Sequence, residues 1–420
     1  MRVSKGHHLW IPGQAPPEIR PHSLAKHRII ERYLKRYVEV LTSNLRIPEF
    51  RLTLVDGFAG GGAYWDPSVG EERPGSPILM LRAMQEAAQL AQQYRHKEFF
   101  LSVEYFFVEK TPDSFKFLQQ TIRNSEFCDL EGETLTLLEG KFEDYSDSIV
   151  SRVKARRRGE RAIFLLDQCG YKDVPLHAIN SILSQLPNAE VILTFATDSL
   201  IDYLSTNEQT QKILGRVGLE ISPTDVLTLK QEQDWRRAIQ RLLHTEIHAK
   251  SGARFYTPFF IRSPDAHRDY WLIHLSGHAK ARDVMVELHW DENTSFSHFG
   301  RSGLNMLGYD PAEDFELTGQ HSLPAFYFDE TAMALTQVSL FDELPGRIHP
   351  FADGIQFQDF FGSITNETPA SSFIIKRVLA ELSRTGEIKI RDKTGNTVRQ
   401  RGIQKSSDVI TPSSGRSLFT

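Results

Sequence analysis

Cysteine is scarce in this chain of 420 residues: only Cys128 and Cys169 occur, which excludes a disulfide framework and suits a reducing compartment. Long apolar runs are absent too. No stretch approaches the roughly 18 consecutive apolar residues of a membrane span, and the opening Met-Arg-Val-Ser-Lys-Gly-His-His lacks the apolar segment of a signal peptide. Nor does one charge dominate. A formal net charge of −5 leaves no global basic field, so any affinity for a polyanion must be local. These absences lead to the expectation of a soluble cytoplasmic protein without a membrane partner. At 40% hydrophobic and 25% charged residues, the composition is that of a globular protein with a full core. The chain is too long for one ordinary domain.

What is present is an alternation of periods. Residues 1–22, with Pro12, Pro16, Pro17 and Pro21, read as an irregular arm. Ser23 is the candidate cap of a helix whose Ile29, Ile30, Tyr33, Leu34, Tyr37, Val38 and Leu41 share one face, so residues 1–48 are arm and helix. Short apolar strands are expected at 52–55, 103–108, 135–138, 163–166 and 191–195, with helices at 78–93, 112–123, 142–157 and 175–186 between them. Strand alternating with helix signals parallel pairing, and the uninterrupted Ala162-Ile-Phe-Leu-Leu suits a strand buried on both sides. A mainly helical stretch follows, then two apolar segments, 259–261 and 270–274, spaced as a hairpin, and a helix over 284–290. The expectation is an α/β, Rossmann-like domain over 49–300, with a parallel sheet and an antiparallel last strand. That is the layout of class I methyltransferases.

The first of these strands runs into Asp56-Gly57-Phe58-Ala59-Gly60-Gly61-Gly62. Glycines let a backbone approach a ligand that a Cβ would block, and an open parallel sheet binds ligands beyond the carboxyl ends of its strands. A dinucleotide loop would be Gly-x-Gly-x-x-Gly leading straight into a helix; here an acid comes first. A carboxylate repels phosphate but accepts hydrogen bonds from an ammonium, such as that of S-adenosylmethionine (SAM). The loop therefore points to SAM, with Asp56, Gly57, Phe58, Ala59, Gly60 and Gly62 as candidate contacts. Glu109 ends the second strand, where an acid grips ribose hydroxyls in such folds, and Lys110 beside it is a further candidate cofactor contact; the alternative is that Lys110 pairs with Glu109, which is then a plain surface carboxylate. Phe142 offers a ring either to adenine or to the core.

Asp167-Gln168-Cys169-Gly170-Tyr171 leaves the fourth strand where an acceptor would lie. Methyl transfer needs in-line placement and sometimes proton removal, so Asp167 is read as orienting the nucleophile and Tyr171 as a pocket wall. A lone Cys169 after a strand reads as a small buried residue rather than a nucleophile. The pairs His244/His248 and His274/His278 have metal-ligand spacing but no evident third ligand, so no metal is expected.

Residues 301–352 are rich in turn formers and read as a connector. Over 353–402 the order is helix, with Thr368-Pro369 as its start and Gly386 as its end, then a hairpin of 387–391 and 397–400, as in a winged helix. From Lys376 to Lys405 nine Lys/Arg stand against three acids, so charge is segregated here, and a basic wing suits nucleic acid. Residues 403–420 read as a flexible polar tail.

Together these segments resemble the three-Cys-motif partner protein (TcmP) family. The matches are Lys26-His27 with the Tyr33-Leu34 helix, Asp56 to Tyr64, Gly75-Ser-Pro77, Val108-Glu-Lys110, Asp167 to Pro175 and Met285 to Trp290. The resemblance implies a SAM-methyltransferase-like domain, a winged-helix-like end, and a partner protein bearing three clustered cysteines suggestive of radical-SAM chemistry. The chain departs from the family at Gln168-Cys169, where Pro-Phe is usual, and residues 63–75 form an insertion between the glycine loop and its helix.

Overall fold

Strand β1, Glu49–Asp56, carries Leu52, Leu54 and Val55 at zero exposure, so the apolar run expected of a central strand is buried on both sides. The computed structural model describes residues 9–157, 159–168, 173–195, 208–222, 224, 227–228, 235–262, 269–292, 296–298, 302–304, 326–395 and 398–413. The chain divides into two compact units, Met1–Ala281 and Arg282–Thr420. No helix among the described residues is long and apolar enough to cross a membrane.

The first unit is a mixed α/β body on a mostly parallel sheet. After the hairpin β2 (Ala63–Asp66) and β3 (Glu71–Pro74) come β4 (Phe100–Glu109), β5 (Leu135–Glu139), β6 (Ala162–Asp167) and β7 (Ala189–Phe195). β1 pairs in parallel with β4 and β6, β4 with β5, and β6 with β7. β9 (Asp269–Ser276) lies antiparallel to β7, and β8 (Phe255–Arg262) antiparallel to β9. Within this unit the order is β5-β4-β1-β6-β7-β9-β8, with the hairpin closing the sheet as expected. Helices α2 (Ser76–Gln93), α3 (Pro112–Arg123), α4 (Phe142–Ala155) and α5 (Leu176–Gln185) connect the parallel strands, and α6 (Glu208–Val217) and α7 (Trp235–Ser251) precede β8. Chain order reverses between β1 and β6, and such a switch point opens a crevice at the carboxyl ends of the strands.

Helix α1, Pro21–Leu41, begins two residues before Ser23, because Pro21 in the first turn has no N–H to leave unpaired. A buried polar cluster ties it to the sheet. Tyr33 donates to the Glu190 carboxylate of β7, and His274 Nε2 of β9 lies 2.9 Å from the same oxygen, all three residues being buried. The insertion at 63–75 is the β2–β3 hairpin, and the arm pairs with it: Trp65 N donates to Pro17 O at 2.9 Å, and Ile19 N to Trp65 O at 2.8 Å.

The second unit holds α8 (Ala279–Glu292), whose first residues belong to the first unit, then β10 (Phe296–His298) paired with β11 (Phe326–Tyr327). The expected connector contains a helix, α9 (Glu330–Ile348), capped by Asp329, which accepts from Ala332 N at 2.8 Å. Its buried residues recur every fourth position, Ala332, Thr336, Leu340, Leu344 and Ile348, a stripe too narrow to stand out beside Pro345 and Gly346. β12 (Ile355–Gln356) and α10 (Phe357–Ile364) follow, then α11 (Ser372–Thr385). Ser371, not Thr368, is its N-cap, and Gly386 ends it in the left-handed conformation at φ +88°.

β13 (Ile388–Arg391) takes β14 (Val409–Pro412) as partner, in a three-stranded sheet β12-β14-β13, whereas the described residues 398–400 return beside β13 through the bridge of Arg391 to Val398 and a bond from Arg399 N to Ile390 O at 2.8 Å. The expected hairpin is thus present only as this short pairing, and the expected flexible tail is corrected over the described residues 403–413. The tail is held because Ile410 is buried and Asp408 accepts from the Gln404 and Lys405 amides, each at 2.8 Å, and from Arg399.

Candidate functional site

Of the five parallel strands, four end on an acid: Asp56, Glu109, Glu139 and Asp167. The strand ends thus gather negative charge around the switch point. Asp56 is fully buried; its Oδ1 accepts from Phe58 N at 3.0 Å, while Oδ2 is buried without a hydrogen-bond partner. Burial pushes its carboxyl up to about 7; the Ser76 hydroxyl and the Phe58 amide pull the other way, and Asp167 and Glu109 add to the rise. At neutral pH this acid stands near the midpoint of its titration.

Glu109 is not spent on Lys110. Its Oε2 accepts from Gly60 N at 3.0 Å and its Oε1 from Thr111 N at 2.7 Å, so it anchors the glycine loop to the end of β4. Lys110 is half exposed and pairs across to Asp173 at 3.4 Å, which corrects the alternative in which it neutralises Glu109. The loop is shaped by further backbone bonds: Gly57 N to Leu165 O and Ala59 N to Val108 O, both 2.9 Å, and Gly75 N to Gly62 O at 2.8 Å. Gly60 and Gly62 have φ of +59° and +78°, conformations that an L side chain resists. A Cβ on Gly57 would lie 2.8 Å from Leu166 and 3.0 Å from Phe142.

Phe142 is 2% exposed, packed beneath Gly57 and edge-on to Phe164 at 6.3 Å between centroids. Of its two sequence readings it takes the core one, because the first turn of α4 directs its side chain inward. Asp167 carries a partner that sequence reasoning missed, the ammonium of Lys26, which is 8% exposed. Burial raises the Asp167 carboxyl, but the Lys26 charge and hydrogen bond outweigh it and hold the group below its ordinary range. His27 beside them is driven down to about 4, by burial first and then by Lys26, against the pull of Asp167. Asp167 is therefore an ionised, paired carboxylate and a weak proton acceptor. Cys169 and Tyr171 lie outside the described residues.

Trp10 closes the loop from above. A Cβ on Gly60 would stand 2.7 Å from its indole and one on Gly61 would collide with it, so the missing side chains are what let the ring lie on the backbone. Its Nε1 donates to Ala63 O at 2.6 Å, and Tyr64 meets it edge-on at 5.2 Å. Thr121 of α3 donates to Gly61 O at 2.8 Å. Gly57, Ala59, Gly60, Gly61 and Gly62 are thus buried, with Trp10 lying on Gly60 and Gly61. One signal for Lys26 was available: it falls on the apolar stripe of α1 with Ile29, Ile30 and Tyr33, where a cation needs an anion.

No family model and no curated protein matches the chain. Among solved structures it is similar to a Legionella pneumophila protein of family DUF519, at 12% identity over 64% of this chain and 91% of that one, TM-score 0.35. It is similar to a plantazolicin methyltransferase solved with S-adenosylhomocysteine, at 9% identity over 61% and 88% of the two chains, TM-score 0.25. A third, a precorrin-6y methyltransferase of Geobacter metallireducens, gives 11% identity over 57% and 87%, TM-score 0.20. Overlaps this loose carry no weight for fold or function, which rest on strand order and site geometry.

Proposed function

We propose that the first unit is a SAM-binding domain of the class I methyltransferase type. Asp56 carries the reading: a buried carboxylate with an orphaned oxygen, at the switch point, beside a loop with two left-handed glycines. A buried acid in a low-dielectric site, only partly satisfied by its neutral neighbours, favours a cationic ligand group, and the neighbouring Glu109 and Asp167 disfavour phosphate. The site fits an ammonium in charge and a close-lying ligand in backbone shape. SAM supplies, when bound, a methyl group on a sulfonium.

Around that ligand Asp56 takes the ammonium, and Gly57, Phe58, Ala59, Gly60 and Gly62 provide the backbone bed. Glu109 offers its remaining lone pairs to ribose, Lys110 forms the rim, and Phe142 supports Gly57 from below. Asp167 and Tyr171 face the acceptor. Because Lys26 keeps Asp167 ionised and neutralised, Asp167 orients rather than deprotonates. The resemblance to the three-Cys-motif partner family, a winged-helix reading of the second unit and a nucleic-acid acceptor reached through its basic residues belong to the same proposal. Calorimetric titration of the folded chain with SAM and with S-adenosylhomocysteine tests it, and the absence of heat with both removes it.

The Lys26–Asp167 pair favours a second reading, because it occupies the carboxylate an acceptor amine would use. The fold then serves as a cofactor-binding module without turnover, supporting a metal-cluster partner protein. Asp167→Ala separates the two: methyl transfer to nucleic acid falls in an enzyme, whereas cofactor affinity alone persists in a module.

A further inference from the structure

Trp10 lies in the proline-rich, irregular arm of residues 1–22. In the structure its indole is 7% exposed while its neighbours Leu9 and Ile11 are 45% and 37% exposed. Gly13, Gln14 and Ala15 are exposed as well, so Trp10 is the anchor of this stretch. The next firm attachment begins at the buried Pro16 and continues in the pairing of Pro17 and Ile19 with Trp65. Between the two lies Gly13, left-handed at φ +81° with open space where a Cβ would be. The ring covers Gly60 and Gly61, the same backbone that the proposed cofactor needs, and an indole N–H bond to Ala63 and an edge-on contact with Tyr64 help to hold it there.

We infer that the N-terminal arm is a displaceable strap: Trp10 lies sealed over the glycine loop and swings out about Gly13 when the cofactor enters. This rests on the SAM-binding reading and adds regulation of the same site. The physical logic is competition for one surface. A flat aromatic ring replaces water on bare backbone and shields the buried acids behind it, and the cofactor must win that surface from the ring. A site closed by its own chain binds with an affinity reduced by the open fraction, so a strap shut nine-tenths of the time weakens binding about tenfold.

The test uses the full chain as wild type, Trp10→Ala and Trp10→Phe, each checked by circular dichroism, with S-adenosylhomocysteine as the probe in calorimetry. Trp10→Ala is expected to bind about tenfold more tightly than wild type, as the competing ring is gone. Subtracting the Trp10→Phe emission from that of wild type isolates Trp10 among the five tryptophans, and this signal is expected to red-shift as the probe binds and the ring meets water. Unchanged or weaker binding by Trp10→Ala, with wild type binding, overturns the strap and leaves the cofactor reading standing. A bound complex in which the Trp10 emission does not move overturns it as well. If neither wild type nor Trp10→Ala binds while both are folded, the cofactor reading fails and the strap with it.

Discussion

Lys26 on the first helix donates to Asp167 at the end of β6, 141 residues further along the chain. The pair sits over the switch point with Lys26 nearly buried and Asp167 about three-quarters so. Truncating the cation leaves the carboxylate largely desolvated and alone, a loss of roughly 2–3 kcal/mol. Lys26→Met should therefore lower stability in urea titrations by that amount, and Lys26→Met with Asp167→Asn should recover part of it. A strictly additive double variant would show that the two side chains are not coupled.

The pH dependence of that pair has a definite sign. Asp167 has a depressed folded-state pKa, so its contribution is present above the unfolded value, 3.8, and is lost as pH falls through the lower folded value. Wild type should lose its advantage relative to Asp167→Asn, which has no carboxyl to titrate, only below about pH 4, read from thermal melts. An advantage that disappears between pH 5 and 7 would contradict this assignment.

Asp56 behaves in the opposite sense. Its folded-state pKa is raised from 3.8 to about 7, so between those values the unfolded chain is ionised while the folded one holds a proton. Each pH unit in that window costs the fold about 1.4 kcal/mol at most, and the cost is flat above it. Asp56→Asn should therefore gain on wild type from pH 4 to pH 7 and gain no more at pH 8. A parallel pair of stability curves would show that Asp56 is not perturbed.

The same acid marks ligand binding. An ammonium placed on Asp56 draws the carboxyl down and releases part of a proton near pH 7, so calorimetric heats for SAM should differ between phosphate and Tris buffers. Asp56→Asn should abolish that difference together with most of the affinity. Equal heats in the two buffers would place the ligand's amine elsewhere.

In the second unit, Lys389 and Arg391 project from the exposed face of β13 while Ile388 and Ile390 are buried. Reversing both charges should leave the melting curve nearly unchanged and weaken binding to a random-sequence duplex. The slope of log affinity against log salt should fall by about 1 for each phosphate that the strand no longer neutralises. An unaltered slope would remove this strand from a nucleic-acid surface.

Much of the architecture was legible along the chain, and the reason is local. β1, β4 to β7 and the helices between them announce themselves through apolar runs and periods that a window of about a dozen residues contains. The four acids at strand ends are legible the same way, each adjoining an apolar strand. α9 escaped because its buried stripe is narrow and Pro345 and Gly346 interrupt its last turn, and β14 escaped because a strand of four residues in a polar tail has too little pattern.

The sequence by itself therefore determined the alternation of strand and helix, the acid-first glycine loop and the segregation of basic residues near the end. Only the tertiary structure decided that Lys26 neutralises Asp167, that Glu109 grips the loop through Gly60 and that Trp10 lies across Gly60 and Gly61. Those decisions join residues dozens to more than a hundred positions apart, where burial and charge pairing act through space and leave no periodic trace in the chain.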